Sequence, residues 1–215
     1  MKINLVGYRD WALQAFQYYP DLNILKSSVD LSNYVNDSPN NQLFIFVGWS
    51  NYIGEKIIKD NTCVCLHPSD LPKFRGGSPI QNQKIRGVLH TKMTAFKMTD
   101  KLDAGPIIDK CDLDISGHMD SIFRNLSEAS RLLIEKIILN INNNKYLNGT
   151  PQIEKDASQY KRRKPLQSEI KITDLEYLTS TELYNFITAL EDPYPNAFFR
   201  TIDGKKLLLK KVELG

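Results

Sequence analysis

Apolar positions along this chain follow two rhythms. Lys2-Ile3-Asn4-Leu5-Val6-Gly7 reads as a first strand, and Trp11, Ala12, Leu13 and Phe16 mark a short helix after it. Leu43-Phe44-Ile45-Phe46-Val47-Gly48 is a continuous apolar run, the pattern of a central strand covered on both faces. Cys63-Val64-Cys65-Leu66 is another, closed by Pro68, which cannot donate to a strand ladder. A fourth strand is predicted around Met93 to Met98. From about Asp120 the period lengthens, and Ile122, Leu126, Ala129, Leu133 and Ile137 form one helical stripe. Strands separated by helical stretches predict an open α/β sheet with helices on both faces.

Residues 140–151 are polar, with Asn142-Asn143-Asn144 and Asn148-Gly149 among them, so a linker or exposed turn region is expected there. It divides a main domain over 1–150 from a smaller piece over 151–215. That piece holds the basic run Tyr160 to Pro165, a short helix from about Ser180 to Leu190, and two apolar-rich runs flanking Asp203-Gly204, a hairpin signal. It is too small for an ample core of its own and is expected to dock as an α+β appendage. Its hairpin offers one surface through which a homodimer could form across a two-fold axis.

At 215 residues and 41% hydrophobic, the chain can bury a real core. A net charge of +3 is too weak to argue for nucleic acid. No signal-peptide plan and no run near the roughly 20 apolar residues of a membrane span is seen, so no membrane association is expected. Three cysteines cannot complete a disulfide framework, which points to a reducing cytoplasm.

The candidate chemistry lies in two strings. The first is Cys65-Leu66-His67-Pro68-Ser69-Asp70-Leu71-Pro72-Lys73-Phe74-Arg75-Gly76-Gly77-Ser78-Pro79-Ile80; the second runs from Thr94 to Ile108 and contains Asp100-Lys101-Leu102-Asp103-Ala104-Gly105. Ligands of open parallel sheets bind beyond the carboxyl ends of the strands, and His67 and Asp103 both follow apolar strand runs. If Asp103 accepts a hydrogen bond from one imidazole nitrogen, the other is free to act as a general base. Cys63, Cys65 and His67 alternate, but residues two apart on a strand lie about 6.5–7 Å from each other, too far apart for three to share a zinc ion. No metal is expected.

These strings resemble the folate-dependent formyltransferases, whose pattern is Asn-x-His-x-Ser-Leu-Leu-Pro-x-x-Arg-Gly followed by Leu-Asp-x-Gly. The 36-residue step from His67 to Asp103 keeps that spacing. The resemblance implies a Rossmann-like formyltransferase sheet, 10-formyltetrahydrofolate as formyl donor, and His67, Asp103 and Cys65 at the catalytic positions. Cys65 stands where the family has an asparagine that donates to the formyl oxygen. Losing such a donor typically costs about 2.7–4 kcal/mol of transition-state stabilisation, and a thiol donates weakly. Another donor serving instead, a slow or specialised enzyme, and a binding-only relic all remain open on the sequence.

By the same resemblance, Trp49, Asn51, Tyr52, Leu71 and Asp100 border the folate pocket. Lys73, Arg75, Gly76, Gly77, Ser78 and Pro79 form a substrate loop in which the glycines let backbone pass close to a ligand. Arg162-Arg163-Lys164-Pro165 and Pro193-Tyr194-Pro195 are similar to segments of sugar-nucleotide N-formyltransferases, with Arg163 and Tyr194 as substrate contacts. The expected reaction is formylation of a UDP- or dTDP-linked deoxy amino sugar. The rival is a methionyl-tRNA formyltransferase-like enzyme, whose larger C-terminal barrel the region after residue 150 is expected to lack.

Overall fold

Leu43–Val47 is buried at every position, and parity sorts its side chains: Leu43, Ile45 and Val47 enter one core, Phe44 and Phe46 another. The same alternation parts Leu5 from Val6, and Val64 and Leu66 from Cys63 and Cys65. A sheet with two apolar faces must take helices on both. The computed structural model, which describes residues 1–38, 40–143 and 147–215, has that architecture.

In chain order the first elements are β1 (Ile3–Val6), α1 (Asp10–Phe16), β2 (Asn23–Leu25), α2 (Ser28–Asp37), β3 (Leu43–Val47), α3 (Glu55–Asp60) and β4 (Thr62–His67). Then come β5 (Arg75–Gly76), α4 (Pro79–Lys84), β6 (His90–Lys97), β7 (Ile107–Asp114) and α5 (Met119–Asn142). The chain ends with β8 (Gln159–Tyr160), α6 (Asp174–Tyr177), α7 (Ser180–Thr188), β9 (Ala197–Arg200) and β10 (Lys206–Leu209).

The main sheet has the order β2-β1-β3-β4-β6-β7. Its first four strands are parallel, while β6 runs antiparallel to β4 and β7 antiparallel to β6. α1 and α5 cover one face and α2 and α3 the other. All five residues of the predicted stripe in α5 are buried. β7 was not foreseen: it is an edge strand, and Asp109, Lys110, Asp112 and Asp114 interrupt its apolar pattern. Among the described residues no helix is long and apolar enough to cross a membrane.

Within the expected linker, α5 runs on to Asn142, and Asn144 lies outside the described residues. From Thr150 onward the chain is stitched to the preceding domain. Thr150 exchanges both backbone hydrogen bonds with Ile107, and β8 pairs in parallel with β5. Ile170, Ile187, Ala189, Leu190 and Ala197 form a third core, against which Ile85 packs. The hairpin predicted at Asp203-Gly204 is β9 and β10, antiparallel with Arg200 opposite Lys206.

Candidate active site

His67 is the last residue of β4, on the face of the sheet that also carries Cys63 and Cys65. Its side chain is buried beside Thr94 of β6. Nε2 lies 3.0 Å from the Phe74 carbonyl, which can only accept, so Nε2 carries the proton there. Phe74 has a positive φ of 58°, a conformation a bulky residue keeps only under restraint. The restraint is visible: its N–H donates to Ser158 Oγ at 2.9 Å and its ring stacks on Tyr160 at 5.0 Å.

Asp103 arrives by a different route. Because β6 is antiparallel to β4, its carboxyl end lies beside Cys63, where the Met98 N–H meets the Cys63 carbonyl. The loop must therefore double back to reach His67. Gly105 allows this: a Cβ there would stand 1.7 Å from the Lys97 carbonyl oxygen. Asp103 has φ of 52°, and its Oδ2 accepts from the Gly76 N–H at 2.8 Å. The same oxygen is 3.7 Å from His67 Nδ1, close enough for charges to interact and too far for a hydrogen bond. The expected arrangement is thus altered in two respects. Asp103 is not delivered by a parallel strand end, and the Phe74 carbonyl, not Asp103, holds the imidazole N–H.

A cavity of about 960 Å³ opens onto this pair, within the usual range for ligand sites. Its wall includes His67, Asp103, Cys65, Trp49 and Asn51, together with Gly76, Gly77, Ser78, Pro79, Arg163 and Tyr194. Five expected residues lie off it. Tyr52, Lys73 and Asp100 are solvent-exposed, and Leu71 is fully buried in the core. Arg75 is buried and turned to Gln152 and Glu154, with two hydrogen bonds to each. The chain's own backbone crowds the glycine pair: a Cβ on Gly76 would lie 2.2 Å from the Tyr160 carbonyl oxygen, and one on Gly77 2.5 Å from Arg162 Cα.

The structure adds Arg9, Phe46, Met98, Leu102, Gln81 and Tyr160 to the wall. Arg9 follows β1 beside the point where the strand order reverses, between β1 and β3, a position that sheet topology alone would have nominated. Its guanidinium lies between the Tyr8 and Tyr194 rings, at 5.6 and 5.9 Å. Among the described residues, Arg9, Arg162, Arg163 and Lys164 form no ion pair. Trp49 Nε1, Gln81 Nε2 and Arg163 Nε, all on residues of the wall, are buried without a hydrogen-bond partner among the described residues. Burial pushes the Cys65 thiol well above its usual range, and the Asp103 charge adds to the effect. Cys65 is therefore a neutral thiol, a weak donor and not a nucleophile.

Residues 31–135 match the formyl transferase family. The methionyl-tRNA formyltransferase of Sulfurimonas denitrificans is 30% identical over 161 residues, covering 74% of this chain and 49% of that enzyme. The chain belongs to the formyl transferase family. It spans about half the length of the curated family members it matches. Among solved structures, a methionyl-tRNA formyltransferase from Clostridium thermocellum is 27% identical with a TM-score of 0.79, covering 100% of both chains. HypX from Aquifex aeolicus in complex with tetrahydrofolic acid has a TM-score of 0.80 at 18% identity, covering 98% of this chain and 37% of that one. A 4-N formyltransferase from Francisella tularensis has 0.75 at 19%, covering 100% and 98%. At such identities these last two show the shared fold alone.

Proposed function

We propose that this chain moves a formyl group from 10-formyltetrahydrofolate to the amino group of a nucleotide-linked (UDP or dTDP) deoxy amino sugar. The observation that carries this reading is the cavity wall. It joins the His67–Asp103 pair to apolar groups (Phe46, Trp49, Met98, Leu102) and to cations without ion-pair partners (Arg9, Arg162, Arg163, Lys164). Flat aromatic surface suits a pterin, and the unpaired Trp49 N–H gives such a ring a donor. Guanidinium groups that form no ion pair among the described residues suit a diphosphate.

The donor, when bound, supplies an activated formyl carbon. The chain's own work is with protons and charge. An attacking amine must shed a proton, and His67 Nδ1 holds the free lone pair because Nε2–H is committed to Phe74. Asp103, 3.7 Å from Nδ1, stabilises the imidazolium that forms. The gap between them is wide enough for a proton-bearing nitrogen to touch both.

A second reading, a methionyl-tRNA acceptor, is favoured by the activity of the sequence relatives. Mass spectrometry after incubation with 10-formyltetrahydrofolate separates the two. A sugar nucleotide heavier by one formyl group supports the first; formylated methionyl-tRNA with every sugar unchanged supports the second.

A further inference from the structure

Gln152 lies outside every motif, yet its carboxamide joins the two strings that hold the candidate pair. Its Nε2 donates to the Asp103 carbonyl at 2.9 Å and to the Gly105 carbonyl at 2.7 Å. Its Oε1 accepts from Arg75 Nε at 3.0 Å and Nη2 at 2.8 Å. Arg75 is fixed from its other side by Glu154, at 3.0 and 2.9 Å. One residue on, the Gly76 N–H binds the Asp103 carboxylate. The Asp103 loop leaves β6 at the wrong end of the sheet for its task, and Asp103 itself sits at positive φ. A side chain that donates to the carbonyls of both Asp103 and Gly105 keeps the loop folded back. One that accepts from Arg75 as well sets the loop's distance from β5, the stretch that follows His67 and carries the Gly76 N–H.

We infer that Gln152 is a positioning residue for formyl transfer, holding the Asp103 carboxylate in register with His67 through the donating end of its amide. This rests on the reading of His67 and Asp103 as the proton-transfer pair. Gln152 does not line the cavity, so it acts through Asp103. Its two ends make separable claims. Gln152→Glu keeps the shape and the acceptor for Arg75 but cannot donate to the two carbonyls; Gln152→Ala removes both ends.

The test compares Gln152→Glu, Gln152→Ala, Glu154→Gln and Asp103→Asn with the unaltered chain, measuring kcat, the KM for 10-formyltetrahydrofolate, tetrahydrofolate binding and melting temperature. Misplacing a reacting group by about 1 Å can cost about 10²-fold in rate. Both Gln152 variants should lose about 10- to 10²-fold in kcat with KM and tetrahydrofolate binding held. Glu154→Gln should stay close to the unaltered rate, since the Glu154 side chain is 72% exposed and Gln152 keeps its own hold on Arg75. A Gln152→Glu variant with full kcat would overturn the inference. So would losses in kcat that merely follow losses in melting temperature and folate binding, because that is bracing of the fold. If Asp103→Asn itself turns over normally, the underlying reading of the pair fails; if only the Gln152 variants do, the inference alone fails.

Discussion

The strand that carries His67 and the loop that carries Asp103 meet across 3.7 Å, and they are built in opposite ways. β4 lies between β3 and β6, with Val64 and Leu66 in one core and Cys63 in the other. His67 ends up at the cavity because a buried strand has one register that keeps its apolar side chains inside. The loop from Thr99 to Pro106 has little apolar burial to direct it. Its course depends on Gly105 passing close to Lys97, on the Gly76 N–H, and on Gln152 reaching in from a distant stretch of chain. One half of the site is therefore fixed by hydrophobic burial and the other by a few directional hydrogen bonds. Damage to the first should appear as lost folding stability, and damage to the second as lost turnover in a folded protein.

The sharpest break is Leu66→Ala. Leu66 is 2% exposed, and removing it should cost about 2–5 kcal/mol of folding stability, read from urea denaturation. Next is Cys65→Asn, on the same strand, which offers a full amide donor where a neutral thiol now stands. It should raise kcat, by no more than the about 10²–10³-fold that an oxyanion donor is worth; an unchanged rate would mean another group already serves. On the loop side, Gly105→Ala cannot keep its close approach to Lys97 and should lower turnover by about 10²-fold. Its effect on denaturation should be smaller than that of Leu66→Ala; a larger one would erase the distinction between the halves.

The gentlest probe concerns the frame under the His67 loop, where Lys84 ends α4 fully buried, its ammonium on the Gly117 carbonyl. Burial lowers its pKa from 10.5 to about 8, against smaller opposing effects of Glu191 and Asp114. Between those values the unfolded chain binds the extra proton, so this group's contribution to stability rises as pH goes from about 8 to 10.5 and is flat below. Lys84→Met should flatten the difference in denaturation midpoint across that window.

Legibility in the sequence followed the same division. Wherever burial decides the structure, as in β1, β3, β4 and the α5 stripe, period and run length were enough. The direction of β6 was not readable, because antiparallel and parallel central strands share an apolar pattern. The candidate pair was legible through its two strings, but the nitrogen that faces Asp103 was not, since the Phe74 carbonyl is a backbone group and leaves no mark on composition. Arg75 was expected in a substrate loop, and only the fold reveals Gln152 and Glu154 beside it. Gln152 had no signal, being a single polar residue beyond a polar turn whose partners lie 47 and 49 positions earlier.

In the proposed reaction His67 and Asp103 move the amine's proton during formyl transfer. Single-turnover transfer by His67→Ala and Asp103→Asn, with tetrahydrofolate binding measured on the same samples, tests it most directly. Both variants should bind tetrahydrofolate as the unaltered chain does. His67→Ala should transfer formyl about 10²–10⁴-fold more slowly, the value of a positioned general base, with Asp103→Asn falling the same way. Transfer at the full rate by either variant would contradict it.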